Sequence, residues 1–357
     1  MESSTAKSMI IRAGKELLTS ELIVRTWGNV SCRINDEKFV ITASGKDYET
    51  LTNEEVIEVD IKDLSYTGDI QPSIEIMLHR AIYQIKHDVN FIIHTHQQYA
   101  SAVAAMFQKS ITFDKTYEGV GSSVLLSEYA FPGSCELSEN VADAIKKTSS
   151  GCVIMKNHGA VCYGKTYEEA FKIAYNLEQA CKQYLDKYSD VIRNKSNIKE
   201  EIDVSTMFSD IDDWKDFSVL LNRDDIVMEY ISTAQKLPAY IIDFAMMIGA
   251  NVPYIDSSLA LDNFCTEKSQ FDHDSKMKII NILHDHADVP ALLLKDVGAI
   301  CIGVNSSDAK AVSILIHKNC LAYYAANIFE KPISLNLADM LLLRNTYLDK
   351  YSKLKYV

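Results

Sequence analysis

The chain of 357 residues lacks an excess of positive charge, a long unbroken apolar run and any Cys-x-x-Cys pair. Each absence narrows its chemistry. A formal net charge of −13 argues against nucleic acid or an anionic membrane as the main partner. It leaves an anionic substrate open, because a bound metal ion supplies local positive charge. The most apolar stretch, Leu237 to Ile255, is interrupted by Pro238, Asp243, Gly249 and Pro253, and makes a poor membrane span. The first residues, Met1-Glu2-Ser3-Ser4-Thr5-Ala6-Lys7, lack the apolar core of a secretory signal. The eight cysteines are scattered, as expected of reduced, mostly buried thiols in a cytoplasmic protein.

What is present is enough apolar material for sizeable cores: 47% of the residues are hydrophobic. The length suits two domains of ordinary size. Apolar spacing predicts a helix over Met9 to Leu22 and another over Ser73 to Lys86, where Ile74, Met77, Leu78, Ala81, Ile82 and Ile85 share one face. Val30 to Ile34 and Lys38 to Thr42 read as paired strands around Asn35-Asp36, and Val56 to Asp60 as a further strand. Phe91 to His94 is a strand followed by a helix over Gln97 to Phe107. Cys152 to Lys156 and Ala160 to Tyr163 form strands around a corner at Asn157-His158-Gly159. Tyr167 to Tyr188 is a long amphipathic helix, with Thr166 as N-cap and Glu169 at the capping-box position.

Composition then shifts. The stretch 189–224 is rich in Asp, Lys, Ser and Asn and reads as an acidic linker. Its Asp210-Ile211-Asp212-Asp213 cluster lacks the Gly and terminal Glu of a calcium loop. Beyond it the chain resembles its own first half. Val153-Ile154-Met155-Lys156-Asn157-His158-Gly159-Ala160-Val161-Cys162-Tyr163-Gly164 aligns with Leu292-Leu293-Leu294-Lys295-Asp296-Val297-Gly298-Ala299-Ile300-Cys301-Ile302-Gly303. A helix is expected after each, over Tyr167 to Tyr184 and Ser307 to Ala326. Phe91-Ile92-Ile93-His94 likewise resembles Tyr240-Ile241-Ile242-Asp243. The expected organisation is a catalytic domain over 1–188, a linker over 189–224 and a degenerate second domain over 225–357.

The residues with the most chemistry are His94, His96 and His158. On a strand, residues i and i+2 point to the same face, so His94 and His96 present two imidazoles side by side. A third imidazole from the Asn157-His158-Gly159 corner completes a triad suited to a divalent metal. Three protein ligands leave a coordination position open, which is the catalytic arrangement rather than the structural one. In the second copy the corresponding positions are Asp243, Ala245 and Val297, which cannot rebuild that site.

Five segments occur in one order: Gly28-Asn29-Val30-Ser31, Thr42-Ala43-Ser44-Gly45, Pro72-Ser73-Ile74-Glu75, His94-Thr95-His96 and Asn157-His158-Gly159-Ala160. In these, residues 8 to about 188 resemble the class II aldolase/adducin family of the fuculose-phosphate aldolase type. The resemblance implies an α/β/α sandwich with a mostly antiparallel central sheet, here duplicated in tandem. It implies Zn²⁺ held by the three histidines, with Mn²⁺ or Co²⁺ also acceptable to imidazole ligands. It assigns Glu75 as the carboxylate that moves a proton beside the metal. Asn29, Ser44, Gly45 and Ser73 fall where the aldolases hold a substrate phosphate. Small hydroxyls, an amide and a glycine backbone can do this, and the Ser73 end is a helix N-terminus.

Two positions depart from the family's pattern. Ile74 stands where the aldolases carry a second serine, and Asp114 stands where their general-acid tyrosine is expected, with Tyr117 close by. His79, one helical turn after Glu75, could support it or be a plain helix histidine. The implied activity is cleavage of a ketose 1-phosphate, or a related hydroxy-ketone, to dihydroxyacetone phosphate and an aldehyde through a metal-stabilised enediolate. A pentulose-phosphate 4-epimerase and a sugar-phosphate dehydratase are alternatives on this scaffold. A non-enzymatic, adducin-like interaction module is another, but such members lose metal ligands that this chain keeps. The family also implies a four-fold homo-oligomer with sites between subunits, and the duplication makes the expectation a dimer with pseudo-four-fold symmetry or a tetramer with the second copy packed outside.

Overall fold

The computed structural model describes residues 1–188 except 24, 25 and 107, two strands at 291–294 and 298–301, and isolated helical residues between 314 and 342. The elements in chain order are α1 (Ser3–Thr19), β1 (Gly28–Arg33), β2 (Lys38–Thr42), β3 (Val56–Asp60), α2 (Ile76–Ile85), β4 (Phe91–Thr95) and α3 (Gln98–Ala104). They continue with β5 (Ser110–Tyr117), β6 (Gly121–Ser127), α4 (Cys135–Lys146), β7 (Cys152–Met155), β8 (Gly159–Gly164) and α5 (Tyr167–Asp186). The last two strands are β9 (Ala291–Leu294) and β10 (Gly298–Cys301).

Eight strands make one sheet in the order β3-β2-β1-β4-β8-β7-β6-β5. The sheet is mixed. β6 runs parallel to β7, while the other neighbours pair antiparallel. The expectation of a mostly antiparallel sheet is corrected at that pairing. Its cause is the connection: α4 lies between β6 and β7, and a crossover helix returns the chain in the same direction.

The central strands are apolar on both faces because both faces are covered. Along β4, Phe91 and Ile93 face a core shared with α1, α3 and α5, whereas Ile92 faces a second core with α2 and α4. β7 and β8 divide in the same way: Cys152, Ile154, Ala160 and Cys162 on the first side, Val153, Met155, Val161 and Tyr163 on the second. This alternation puts His94 on the side of α2, the helix that follows Glu75.

Several boundaries agree with the sequence within a turn, including the β1–β2 pair and β3. Helix α5 begins as expected, with the Thr166 hydroxyl accepting from the Glu169 amide at 3.2 Å. Glu169 does not close the reciprocal box; its carboxylate accepts from the Lys165 amide instead, at 2.6 Å. Strands β5 and β6 and helix α4 have no counterpart in the expectations. The linker at 189–224, the segment Leu237 to Ile255, Asp243, Ala245 and Val297 lie outside the described residues. The β9–β10 hairpin pairs Leu294 with Gly298 and Ala291 with Cys301, the register in which Met155 pairs with Gly159 and Cys152 with Cys162. Among the described residues no helix is long and apolar enough to cross a membrane.

Candidate metal centre

Strand β4 lies mid-sheet between β1 and β8, and its C-terminal end delivers His94 inside the strand and His96 just beyond it. The third imidazole comes from the tight β7–β8 turn. Asn157 takes the left-handed conformation there, at φ 54°, which asparagine tolerates better than most residues. The next position but one must be glycine for a different reason. A Cβ at Gly159 would lie 2.3 Å from the Thr95 carbonyl oxygen. The bare backbone lets β8 close against β4 and carries His158 to the other two histidines.

The three rings converge, with centroids 4.7 Å apart for His94–His96 and 5.0 Å for each pair with His158. All three are buried, and their ligand nitrogens lie within 4.8 Å of one another. The His94 Nδ1–H donates to the Ala160 carbonyl at 2.9 Å, so its Nε2 lone pair points into the cluster. That Nε2 sits 2.8 Å from His96 Nε2. Two imidazole nitrogens at this separation need a proton or a cation between them. Burial first, and then neighbouring histidines, push the His96 imidazolium well below its ordinary range; burial also lowers His94. Both shifts favour the neutral form that offers a lone pair. A divalent ion fits this donor set.

Glu75 occupies the N-cap position of α2 but makes no side-chain capping hydrogen bond. Its carboxylate turns inward instead. Oε1 lies 3.0 Å from His158 Nε2 and Oε2 lies 3.1 Å from His94 Nε2. Oε2 also accepts from Asn29 Nδ2 at 2.7 Å. Burial pushes this carboxyl up, but His94, His158 and the Asn29 amide together outweigh it and hold the group well below the usual carboxylate range. A helix-dipole role alone does not account for that placement.

A pocket opens beside the cluster. Asn29, Ser44, Gly45, Ser73, Ile74 and Glu75 line it together with His96 and His158. All four residues expected at a phosphate are thus brought to the same cavity as Glu75 and two of the three expected ligands, His96 and His158. Asn29 is already engaged: its oxygen faces His79 Nε2 at 2.5 Å and its amide serves Glu75. Asp114 and Tyr117 are not brought there within one chain. Asp114 pairs with Lys187, and the Tyr117 hydroxyl donates to Gln183 at 2.6 Å.

Two supporting residues escaped the sequence reading. Glu178 accepts from the Tyr99 and Ala100 amides, at 2.8 and 3.0 Å, and so fixes the start of α3 just after His96. A lone acid among Ala174, Leu177 and Cys181 on the buried face of α5 was the available signal. Lys318, in the C-terminal part, is buried and donates to the His96 carbonyl. Burial lowers its ammonium to about 7, against the opposing pull of Glu178. Its partner is 222 residues away in sequence, beyond the reach of local pattern.

Comparison with known proteins agrees with this geometry. Residues 8–185 match the family described as Class II Aldolase and Adducin N-terminal domain. An L-fuculose phosphate aldolase of Methanococcus maripaludis (strain C7) is 34% identical over 163 residues, which is 46% of this chain and 87% of the relative. The protein of that name in Escherichia coli (strain K12) is 31% identical over 187 residues, covering 52% and 85% respectively. A solved L-fuculose 1-phosphate aldolase superposes with a TM-score of 0.50 at 29% identity, covering 53% of this chain and 89% of that one. The chain belongs to the class II aldolase and adducin family. These three relatives are named as aldolases, and class II aldolases are metal-dependent lyases.

Proposed function

We propose that this protein is a divalent-metal-dependent aldolase that cleaves a ketose 1-phosphate to dihydroxyacetone phosphate and an aldehyde. The observation that carries the reading is the Glu75 carboxylate seated between His94 and His158 at the mouth of a polar pocket. An adducin-like module without chemistry has no need of three buried, converging imidazoles with an ionised acid beside them. His94, His96 and His158 would hold the ion. When bound, it would act as a Lewis acid that stabilises enediolate charge on two substrate oxygens. Zn²⁺ suits three imidazoles with one open position, and Mn²⁺ or Co²⁺ would be accepted.

The chain's own groups supply the rest. Glu75 is the proton carrier: in synthesis its carboxylate removes a proton from the attacking carbon, and in cleavage it passes a proton, relayed from the C4 hydroxyl as that becomes the aldehyde oxygen, to the carbon freed when the C3–C4 bond breaks. Ser44, Gly45 and Ser73, with one remaining N–H of Asn29, would receive the phosphate. Ile74 offers no hydrogen bond where a second serine would, so phosphate is held by fewer donors.

The group that handles the proton on the aldehyde oxygen would be Asp114 or Tyr117 of a neighbouring subunit, since neither reaches the pocket of its own chain. We propose a homo-oligomer, a dimer or a tetramer, on that ground. We also propose that 189–224 links the catalytic domain to a second module over 225–357 that lacks metal ligands. The shared hairpin register and the aligned segments support this reading.

The test is release of dihydroxyacetone phosphate from a panel of ketose 1-phosphates, with and without a strong chelator. Release that chelator abolishes and metal restores is expected. No release from metal-loaded protein would overturn the reading and favour epimerisation or dehydration.

A further inference from the structure

Glu75 is the end of a buried line of polar groups that the reaction itself does not consume. Its Oε2 meets Asn29 Nδ2 at 2.7 Å, and Asn29 Oδ1 meets His79 Nε2 at 2.5 Å. His79 Nδ1 meets Ser31 Oγ at 2.6 Å, and the same hydroxyl meets the Tyr83 hydroxyl at 2.7 Å. All five side chains are buried.

The donor and acceptor inventory leaves one polarity for this line. The Asn29 NH₂ donates to Glu75 Oε2, which leaves the Asn29 oxygen facing His79. That oxygen only accepts, so His79 must carry its hydrogen on Nε2. Burial lowers the His79 imidazolium to about 3, so the ring is neutral and Nδ1 is bare. Ser31 therefore donates to Nδ1, and its oxygen is left to accept from Tyr83.

We propose that His79 is a positioning residue that locks the Asn29 carboxamide and thereby aims an N–H at Glu75, holding the carboxylate between His94 and His158. This rests on the reading of Glu75 as proton carrier. Ser31 and Tyr83 set the tautomer, so the orientation is fixed from the α2 side of the sheet. Without the His79 donor, the Asn29 amide gains nothing by keeping its oxygen inward. It can rotate, and Glu75 then loses the hydrogen bond that fixes one of its two oxygens.

The experiment compares metal-loaded wild type, His79→Leu and His79→Gln, with two readouts. In the first, His79→Leu is expected to lower kcat by about 10–100-fold, the range for partners that orient a metal site. KM should rise by less than kcat falls, because Asn29 gives only one of the proposed phosphate hydrogen bonds, and metal content should stay at the wild-type level. Gln retains a donor toward Asn29 and an acceptor toward Ser31, and should restore most of kcat. Wild-type kcat in the Leu variant, or equal loss in both variants, would overturn the proposal. The second readout needs no turnover and no variant. A two-bond ¹H–¹⁵N correlation spectrum of the wild-type protein should show His79 as the neutral Nε2–H tautomer. An Nδ1–H tautomer would overturn the proposal. If the wild type cleaved no ketose phosphate, the aldolase reading would fall and the tautomer would decide this one.

Discussion

His94→Ala is expected to lose the divalent ion and the activity together. The side chain is fully buried, its Nδ1 is held by the Ala160 carbonyl, and its Nε2 lies 2.8 Å from His96 Nε2 and 3.1 Å from Glu75 Oε2. Among the described residues His94, His96 and His158 form a group that could hold a metal ion. Two histidines would remain where three converge. Loss of a partner one bond removed from a metal costs about 10–100-fold in affinity, and loss of a ligand should cost more. Metal analysis after dialysis should find about one ion per chain in the wild type and little in the variant. Asp243→Ala is the control, since Asp243 aligns with His94 in the proposed second module, though it lies outside the described residues. It should keep its metal, and equal loss in both variants would contradict the assignment.

Glu75→Gln separates chemistry from binding. Glutamine keeps the shape and still offers an oxygen to Asn29, but it cannot carry a proton. Three imidazoles remain, so the ion should be retained. Removing a positioned proton carrier typically costs 10²–10⁴-fold in rate, and a loss of about that size in kcat is expected. Dihydroxyacetone phosphate release measured at equal metal loading checks this. A variant with wild-type kcat would assign the carboxylate to structure rather than catalysis.

Much of the site was legible because its signals are local. Two histidines two residues apart on an apolar strand declare a shared face, and Asn157-His158-Gly159 declares a tight corner. The reason for that glycine was not legible: it lies in the approach of Thr95 across the sheet, a contact that joins distant strands. The same limit hid Lys318 and the engagement of Asn29 by both Glu75 and His79. Pattern did exist for α4, where Leu137, Val141 and Ile145 recur at helical spacing behind the Ser134 cap. It existed for β5 too, where Ile111 and Phe113 alternate with exposed neighbours. The parallel β6–β7 pairing follows only once α4 is recognised as the connection. Asp114 and Tyr117 show the opposite case. Both sit on that edge strand, pointing to partners within their own chain, and sequence order says nothing about which pocket they serve.

The central claim is that three histidine nitrogens share one divalent ion beside Glu75. The most direct measurement is an anomalous-scattering map from crystals of the zinc-loaded protein, recorded on either side of the zinc edge. One strong peak bounded by His94, His96 and His158 Nε2 is predicted, at about 2.0–2.1 Å from each nitrogen. A peak at other residues, or none at saturating zinc, would contradict the account.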